Sequence, residues 1–472
     1  MSPPKSRGRL PALALLSGVL TATAVTPERS ARADGTDAPK VAIPFTRTTL
    51  SNGMTVILHE DHAVPIVVVN ISYNVGSRFE QPGRTGFAHL FEHLMFMGTT
   101  RVPTKAFDGW MEVAGGWNNA WTSEDRTDYY DVGPPTSLDL LLWLEADRLR
   151  DLGPLMTLDK LNAQREVVRN ERRQTSENTP YGKVGLRLPE LVYGSGHPYH
   201  HSVIGSHKDL EAATVDDVKG FFATHYDPAN ASLVVAGDFD AAKTKAKIDS
   251  WFGTIPSRGK AKDPGAPGFS DGATTLTKVV REEIADDVEL ARVTMAWQSP
   301  KHFGQGDAEL DLLAAALATG KASRLYKALV YDQKIAQSVD ASQDSGVLGS
   351  RFIVNVIARP GVKLDALEAA IDKELAAVRS APLADDELTR AKNLVETGFV
   401  TRLQGVRERA SLLNLYQAEV GDPGFADLER YRAATKESVK TYAEKVLQPN
   451  ARVIIRAVPK KVGPQDGKDG KK

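Results

Sequence analysis

Apolar and polar positions along the chain change their period repeatedly, and each change marks an element. Thr46–Leu50 and Met54–His59 flank Ser51-Asn52-Gly53, which predicts a hairpin turning at the Asn-Gly pair. Pro65 to Tyr73 is a β-branched run and predicts a central strand. After Gly83-Arg84-Thr85-Gly86 the pattern becomes helical through Phe87-Ala-His-Leu-Phe-Glu-His-Leu-Met-Phe-Met97. A second helix is expected over Thr104–Ala114, stopped by Gly115-Gly116. Asn118 to Val132 alternates polar and apolar residues and reads as strand; Leu138–Leu149 and the longer Asp159–Thr175 read as helices. Ala231–Gly237 closes the unit as a further strand, followed by a helix over Ala241–Phe252.

Residues 257–272, rich in Gly, Pro, Ser and charge, have the composition of a linker. Beyond them the order restarts. Ala291–Trp297 reads as a strand like 66–73, and Asp307–Thr319 as a helix ending at Gly320, as the earlier helix ends near Gly98. Setting Gly320 against Gly98 places Asp311, Ala314 and Ala315 opposite His89, Glu92 and His93. A duplication is therefore expected, with one unit over residues 34–256 and a second over 273–459. The charged, Gly-rich tail at 460–472 is expected to be disordered.

The 472 residues exceed what one ordinary core organises. Fifty-nine Lys and Arg against 60 Asp and Glu give a net charge of −1, which gives no footprint for nucleic acid. The N-terminus stands apart: Lys5, Arg7 and Arg9 precede an apolar run from Leu10 to Val25, and Ala31 and Ala33 sit at −3 and −1 of a cut after residue 33. That is the layout of a secretory leader over residues 1–33, so the mature chain is expected to be periplasmic or secreted, with no membrane attachment after cleavage. An uncleaved anchor is the competing reading. The chain has no cysteine, which excludes disulfides and a lipidated N-terminal Cys.

Chemistry concentrates in His89-Leu90-Phe91-Glu92-His93. Histidines four apart on a helix present both imidazoles on one face, where one metal ion can bind both. Glu92 puts a carboxylate at the same rim, placed to take a proton from a metal-activated water. Such a pattern also arises by chance, but three ionisable groups on an otherwise apolar helix are costly unless paired or ligated. A hydrolytic zinc site takes a third protein ligand. On the 159–175 helix, Gln164, Val167, Val168 and Glu171 share one face, while Glu166 lies among Arg165, Arg169 and Arg173. Helical spacing leaves Glu171 and Glu166 both open. His197, His200 and His201 lie in a Gly/Pro-rich loop with no helical ligand spacing, and read as structural.

Taken together, Gly86-x-x-His89-x-x-Glu92-His93-x-x-x-x-Gly98-Thr99, Gly115-Gly116-x-Asn118-Asn119-Ala120-x-Thr122 and Val167-Val168-x-Asn170-Glu171-Arg172-Arg173 resemble the M16 (pitrilysin/insulinase-type) metallopeptidase family. The chain is most similar to its short branch of bacterial and mitochondrial-processing-peptidase β-type members. The resemblance implies an α+β fold of two homologous α/β domains, each a mostly antiparallel sheet flanked by helices. It implies one Zn²⁺ held by His89, His93 and Glu171, with Glu92 as general base. It implies that Asn119 and Ala120, on an edge strand, contact a peptide substrate added as a β-strand; Trp121 reads equally well as core.

Two departures stand out. A Glu common in the family falls at Gln164, which can serve only as a hydrogen-bonding group beside the site. An Arg and a Tyr often supplied by the metal-free half correspond here to Val330 and Gln337. In two-subunit members that pair sits on a separate metal-free chain. A heterodimer with such a partner is therefore expected, a homodimer being the rival. The expected function is an exported zinc metalloendopeptidase acting on extended peptides or unfolded segments. Against it stand a non-catalytic scaffold subunit, which would have lost a ligand or the base, and a zinc-dependent binding module, which would tolerate Glu92→Gln.

Overall fold

The computed structural model describes residues 41–260 and 276–460. The expected leader, residues 261–272 of the linker and residues 461–472 of the tail lie outside the described residues. The first half runs β1 (Thr46–Thr49), β2 (Thr55–Glu60), β3 (Val67–Tyr73), α1 (Phe87–Leu94), α2 (Ala106–Val113), β4 (Trp117–Thr122) and β5 (Thr127–Gly133). It continues with α3 (Leu138–Asp151), α4 (Leu158–Glu171), α5 (Gly182–Val192), α6 (His207–Ala212), α7 (Val215–His225), β6 (Ala231–Gly237) and α8 (Ala241–Trp251). The second half runs β7 (Val280–Asp286), β8 (Arg292–Ser299), α9 (Asp307–Ala318), β9 (Ala336–Asp344) and β10 (Ser350–Ala358). Then come α10 (Leu364–Ser380), α11 (Asp385–Arg402), α12 (Val406–Glu419), α13 (Asp427–Ala433), α14 (Lys436–Val446) and β11 (Val453–Pro459).

The two sheets have the orders β1-β2-β6-β3-β5-β4 and β7-β11-β8-β10-β9. In each, one pairing is parallel (β2 with β6, β7 with β11) and the others are antiparallel. Leaving aside β1, the second sheet repeats the first strand for strand, so β4 corresponds to β9 and β5 to β10. The expected α+β architecture of two related halves is the one observed. β3 lies between β6 and β5 with all seven residues buried, as its unbroken β-branched run requires.

Three expectations need adjustment. The alternating stretch 118–132 is a hairpin, β4 turning at residues 123–126 into β5, with Trp117 opposite Val132. The turn residues Ser123-Glu124-Asp125-Arg126 carry no Gly or Pro to announce it. The helix expected through Thr175 keeps α-helical pitch only to Glu171 and then widens into a π-helical turn over Arg172–Glu177. Finally, α1 and α9 both start after a glycine with positive φ, Gly86 and Gly306, and are followed by another, Gly98 four residues past α1 and Gly320 two past α9, the glycines standing two residues further apart in the second half. Counting from the starting glycines sets Glu309, Leu312 and Leu313 opposite His89, Glu92 and His93; either register leaves the second half without an imidazole pair.

Each half covers one face of its sheet with its own helices and the other face with a helix of its neighbour. Val184, Leu188 and Val192 of α5 pack on Ala296, Val453, Ile455 and Ala457 of the second sheet. In return, Val406, Ala410 and Leu413 of α12 pack on Ile57, Val68, Val234 and Ala236 of the first. A buried polar contact fixes the second exchange: Asn414 donates to the Asn70 carbonyl (3.0 Å) and Oδ1 (2.7 Å) and accepts from the Ser232 hydroxyl (2.6 Å). Among the described residues no helix is long and apolar enough to cross a membrane.

Candidate metal centre and cleft

The motif helix is set by its apolar residues and by a remote cap. Phe87, Ala88, Leu90, Phe91 and Leu94 are buried in the first core. Gly86, at φ +87°, starts α1 without a side-chain cap of its own. The buried Glu80 serves instead, accepting the Gly86 N–H at 2.9 Å and the Ala88 N–H at 2.7 Å. An acceptor at the helix start meets the N–H groups that have no partner within the helix. The opposite face of α1 then carries His89, Glu92 and His93. α4 begins at the Thr157 cap, whose hydroxyl accepts the Lys160 N–H at 3.3 Å, and Lys160 Nζ donates to the Gly98 carbonyl at 2.9 Å. This lashes the start of α4 to the loop after α1, and at the other end of α4 Glu171 lies over the two imidazoles.

Glu171 Oε2 lies 3.2 Å from His93 Nε2, and Oε1 lies 3.7 Å from His89 Nε2. One ligand atom from each of the three residues falls within 4.8 Å of the others, and no other such group of three occurs among the described residues. Between the two acidic candidates on α4, Glu171 faces the histidines, whereas Glu166 is an exposed partner of Arg169 at 2.8 Å. Burial and then the charge of His93 hold the His89 imidazole below its ordinary range, which keeps it in the neutral, ligating form. The hydrogen bond from His93 holds the Glu171 carboxyl down as a carboxylate. Two imidazole nitrogens and a carboxylate oxygen, open on one side to a cleft, form a donor set that suits hydrolytic zinc.

Glu92 is 8% exposed and stands beside this group. The Thr122 hydroxyl donates to its Oε2 at 2.5 Å. Burial pushes the Glu92 carboxyl up, and the Thr122 hydrogen bond opposes that push. The cleft has a volume of about 460 Å³ and is lined, beyond these residues, by Asn119, Ala120 and Trp121 of β4 and by Val203 and Ile204. All lining residues belong to the first half. β4 is the edge strand of its sheet. Asn119 Oδ1 accepts the Ala120 N–H at 2.8 Å.

The remaining expectations fall differently. Gln164 does not line the cleft; its amide donates to Met97 Sδ at 2.8 Å, two helical turns below Glu171. Sharing a helix face with Glu171 does not give it reach along the axis. Val330 is buried and Gln337 exposed, and neither lines the cleft. His197 stacks on Tyr193 (centroids 4.4 Å apart), and His200 Nδ1 bonds the Tyr193 carbonyl at 2.8 Å. Val203 and Ile204 went unrecognised in the sequence. Their segment reaches the cleft because Gly86 has no side chain: a Cβ there would lie 2.7 Å from the Ile204 carbonyl oxygen.

Comparison with known proteins places the chain and its fold in a family. The model of the insulinase family (peptidase family M16) matches residues 55–192, and that of the peptidase M16 inactive domain matches residues 212–395. Zinc protease PqqE of Helicobacter pylori is 30% identical over 387 residues, 81% of this chain and 85% of that protein. A probable mitochondrial-processing peptidase subunit beta of Arabidopsis thaliana is 25% identical over 390 residues, 77% of this chain and 69% of that protein. The crystal structure of a protease from Helicobacter pylori superposes with a TM-score of 0.81 at 26% identity, covering 89% of this chain and 100% of that one. The chain belongs to the M16 family of peptidases, and several of its relatives, that of Helicobacter pylori among them, are named zinc proteases.

Proposed function

We propose that this chain is a zinc-dependent endopeptidase for extended peptides or unfolded segments, exported from the cell and acting as the metal-bearing subunit of a clam-like dimer. The observation that carries the reading is the convergence of His89, His93 and Glu171 within 4.8 Å, beside a buried Glu92, on the wall of a cleft bounded by an edge strand. His89, His93 and Glu171 would hold one zinc ion. A zinc ion held there would supply Lewis acidity, activating water toward a pKa of ~7 and polarising the scissile carbonyl. Glu92, oriented by Thr122, takes the proton of the attacking water and returns it to the leaving amine. The outer edge of β4 pairs with the substrate backbone at Asn119 and Ala120. For that pairing the Asn119 carboxamide turns aside and releases the Ala120 N–H to a substrate carbonyl. An extended peptide or unfolded segment presents its backbone in this way.

The partner is argued from what the cleft lacks. First-half residues alone line it, and the second half offers Val330 and Gln337 where the family often carries Arg and Tyr. A metal-free relative would supply those groups, with a homodimer as the rival. The leader pattern at 1–33 supports a periplasmic or secreted location. The test is zinc content and peptide turnover of wild type and Glu92→Gln, each with and without a candidate metal-free partner. The expected result is retained zinc and lost turnover in Glu92→Gln, with wild-type turnover depending on the partner. Retained turnover in Glu92→Gln overturns the assigned base. Full activity of the isolated chain overturns the heterodimer. A wild type that holds zinc but cuts nothing under any condition favours a scaffold role.

A further inference from the structure

Two walls of the cleft are anchored to the second half at one buried point. Asp125, in the β4–β5 turn, accepts the Val347 N–H at 3.1 Å and the Tyr199 hydroxyl at 2.5 Å, and pairs with Arg78 Nε at 3.0 Å. The Tyr199 hydroxyl in turn accepts the Leu348 N–H at 3.0 Å. One carboxylate and one phenol therefore hold two successive amides of the β9–β10 turn. Because β9 and β10 correspond to β4 and β5, the junction forms where equivalent turns of the two halves meet. The close approach depends on Gly346, where a Cβ would lie 2.9 Å from Tyr199 Cε2 and 3.0 Å from its hydroxyl oxygen. Tyr199 is 3% exposed and the Asp125 side chain 11%.

The junction leads to the cleft along two short routes. Asp125 is three residues from Thr122, the end of the edge strand. The intervening carbonyls of Ser123 and Glu124 are gripped by the Ser77 and Arg78 N–H groups at 3.1 and 2.9 Å. Tyr199 is four residues from Val203, on the facing wall. We propose that Asp125 and Tyr199 are positioning residues through which the metal-free half sets the spacing between β4 and the Val203–Ile204 segment, and with it the grip on an extended peptide. Neither touches the reacting atoms. The inference rests on reading the cleft as a peptide site, although the mechanical coupling itself does not require turnover.

The test uses two full-length, zinc-loaded variants. Tyr199→Phe removes the bridging hydroxyl and keeps the ring; Gly346→Ala crowds the Tyr199 ring and the Gly349 carbonyl of the β9–β10 turn and alters no cleft residue. Amide hydrogen exchange across 117–122 and 200–205 is expected to quicken about tenfold in both, with α1, α4 and zinc content unchanged. The affinity for a fluorescein-labelled unstructured decapeptide is expected to fall about fivefold, seen in turnover as a raised KM with kcat within about twofold. Unchanged exchange in both segments, with only a lowered melting temperature, overturns the proposal and leaves a simple fold staple. An effect confined to Tyr199→Phe overturns the role of the second half. A wild type that neither binds nor cuts peptide, alone or with a metal-free partner, sinks the peptidase reading, and the exchange measurement still decides the coupling.

Discussion

Asp311 offers a quantitative test of how the metal-free half is built. It lies on α9, opposite His89 when the helices are aligned on their closing glycines, and it accepts the Tyr431 hydroxyl at 2.8 Å. Burial, reinforced by the neighbouring Asp307 carboxylate, pushes its carboxyl up to about 7, against opposing contributions from Tyr431, His302 and Arg430. In the unfolded chain an Asp titrates near ~3.9. Between these values the folded state holds a proton that the unfolded state has released, so stability falls as pH rises through the window. A gap of about three units corresponds to roughly 4 kcal/mol at most, and because Asp311 still meets some solvent about half of that is expected. Asp311→Asn keeps an oxygen for Tyr431 and carries no charge. It should be more stable than wild type by about 2 kcal/mol at pH 8, with the advantage fading toward pH ~4. Urea denaturation of both proteins across that range provides the measurement. Equal midpoints at pH 8, or a gain of the same size at both ends, refutes the reasoning.

Other outcomes follow from the site and the fold. Thr122→Val keeps the shape and removes the donor to Glu92; a hydrogen bond to a charged acceptor is worth about 1.5–3 kcal/mol, so kcat should fall at least about tenfold with zinc content unchanged. Glu171→Gln should weaken zinc binding by roughly 100-fold or more in a chelator competition, and Glu166→Gln, whose carboxylate faces Arg169, should leave it alone. Asn414→Ala strands the buried Ser232 and Asn70 groups and should cost about 3 kcal/mol of unfolding free energy; a loss below about 1 kcal/mol would show that the contact contributes little.

What the sequence revealed, and what it hid, divides along the range of the interactions. α1 was legible because its apolar stripe and its two histidines follow one helical period. β3 was legible because both its faces are buried. Glu171 needed the family resemblance, since helical spacing describes faces and α4 carries carboxylates on two of them. Gln164 misled for the same reason: a shared face says nothing of distance along the axis. The turn at Ser123–Arg126 carries no Gly or Pro; the Ser123 hydroxyl, accepting the Asp125 and Arg126 N–H groups, and main-chain contacts from Ser77 and Arg78 hold it. The exchange of α5 and α12 was invisible because an amphipathic helix does not reveal which sheet it will cover. Val203 and Ile204 reach the cleft through a backbone approach to Gly86 that no local pattern records.

That exchange also shapes how the protein is made. The last strand of the first sheet to leave the ribosome, β6, ends at Gly237, but the helix that covers the sheet's outer face begins only at Val406. At ~5–20 residues per second, the intervening stretch takes roughly ten to thirty seconds to synthesise. Throughout that interval Ile57, Val68, Val234 and Ala236 have no helix over them. A nascent chain with a bare apolar sheet invites association with its neighbours, so production of this protein depends on whatever shields that face until translation passes residue 419.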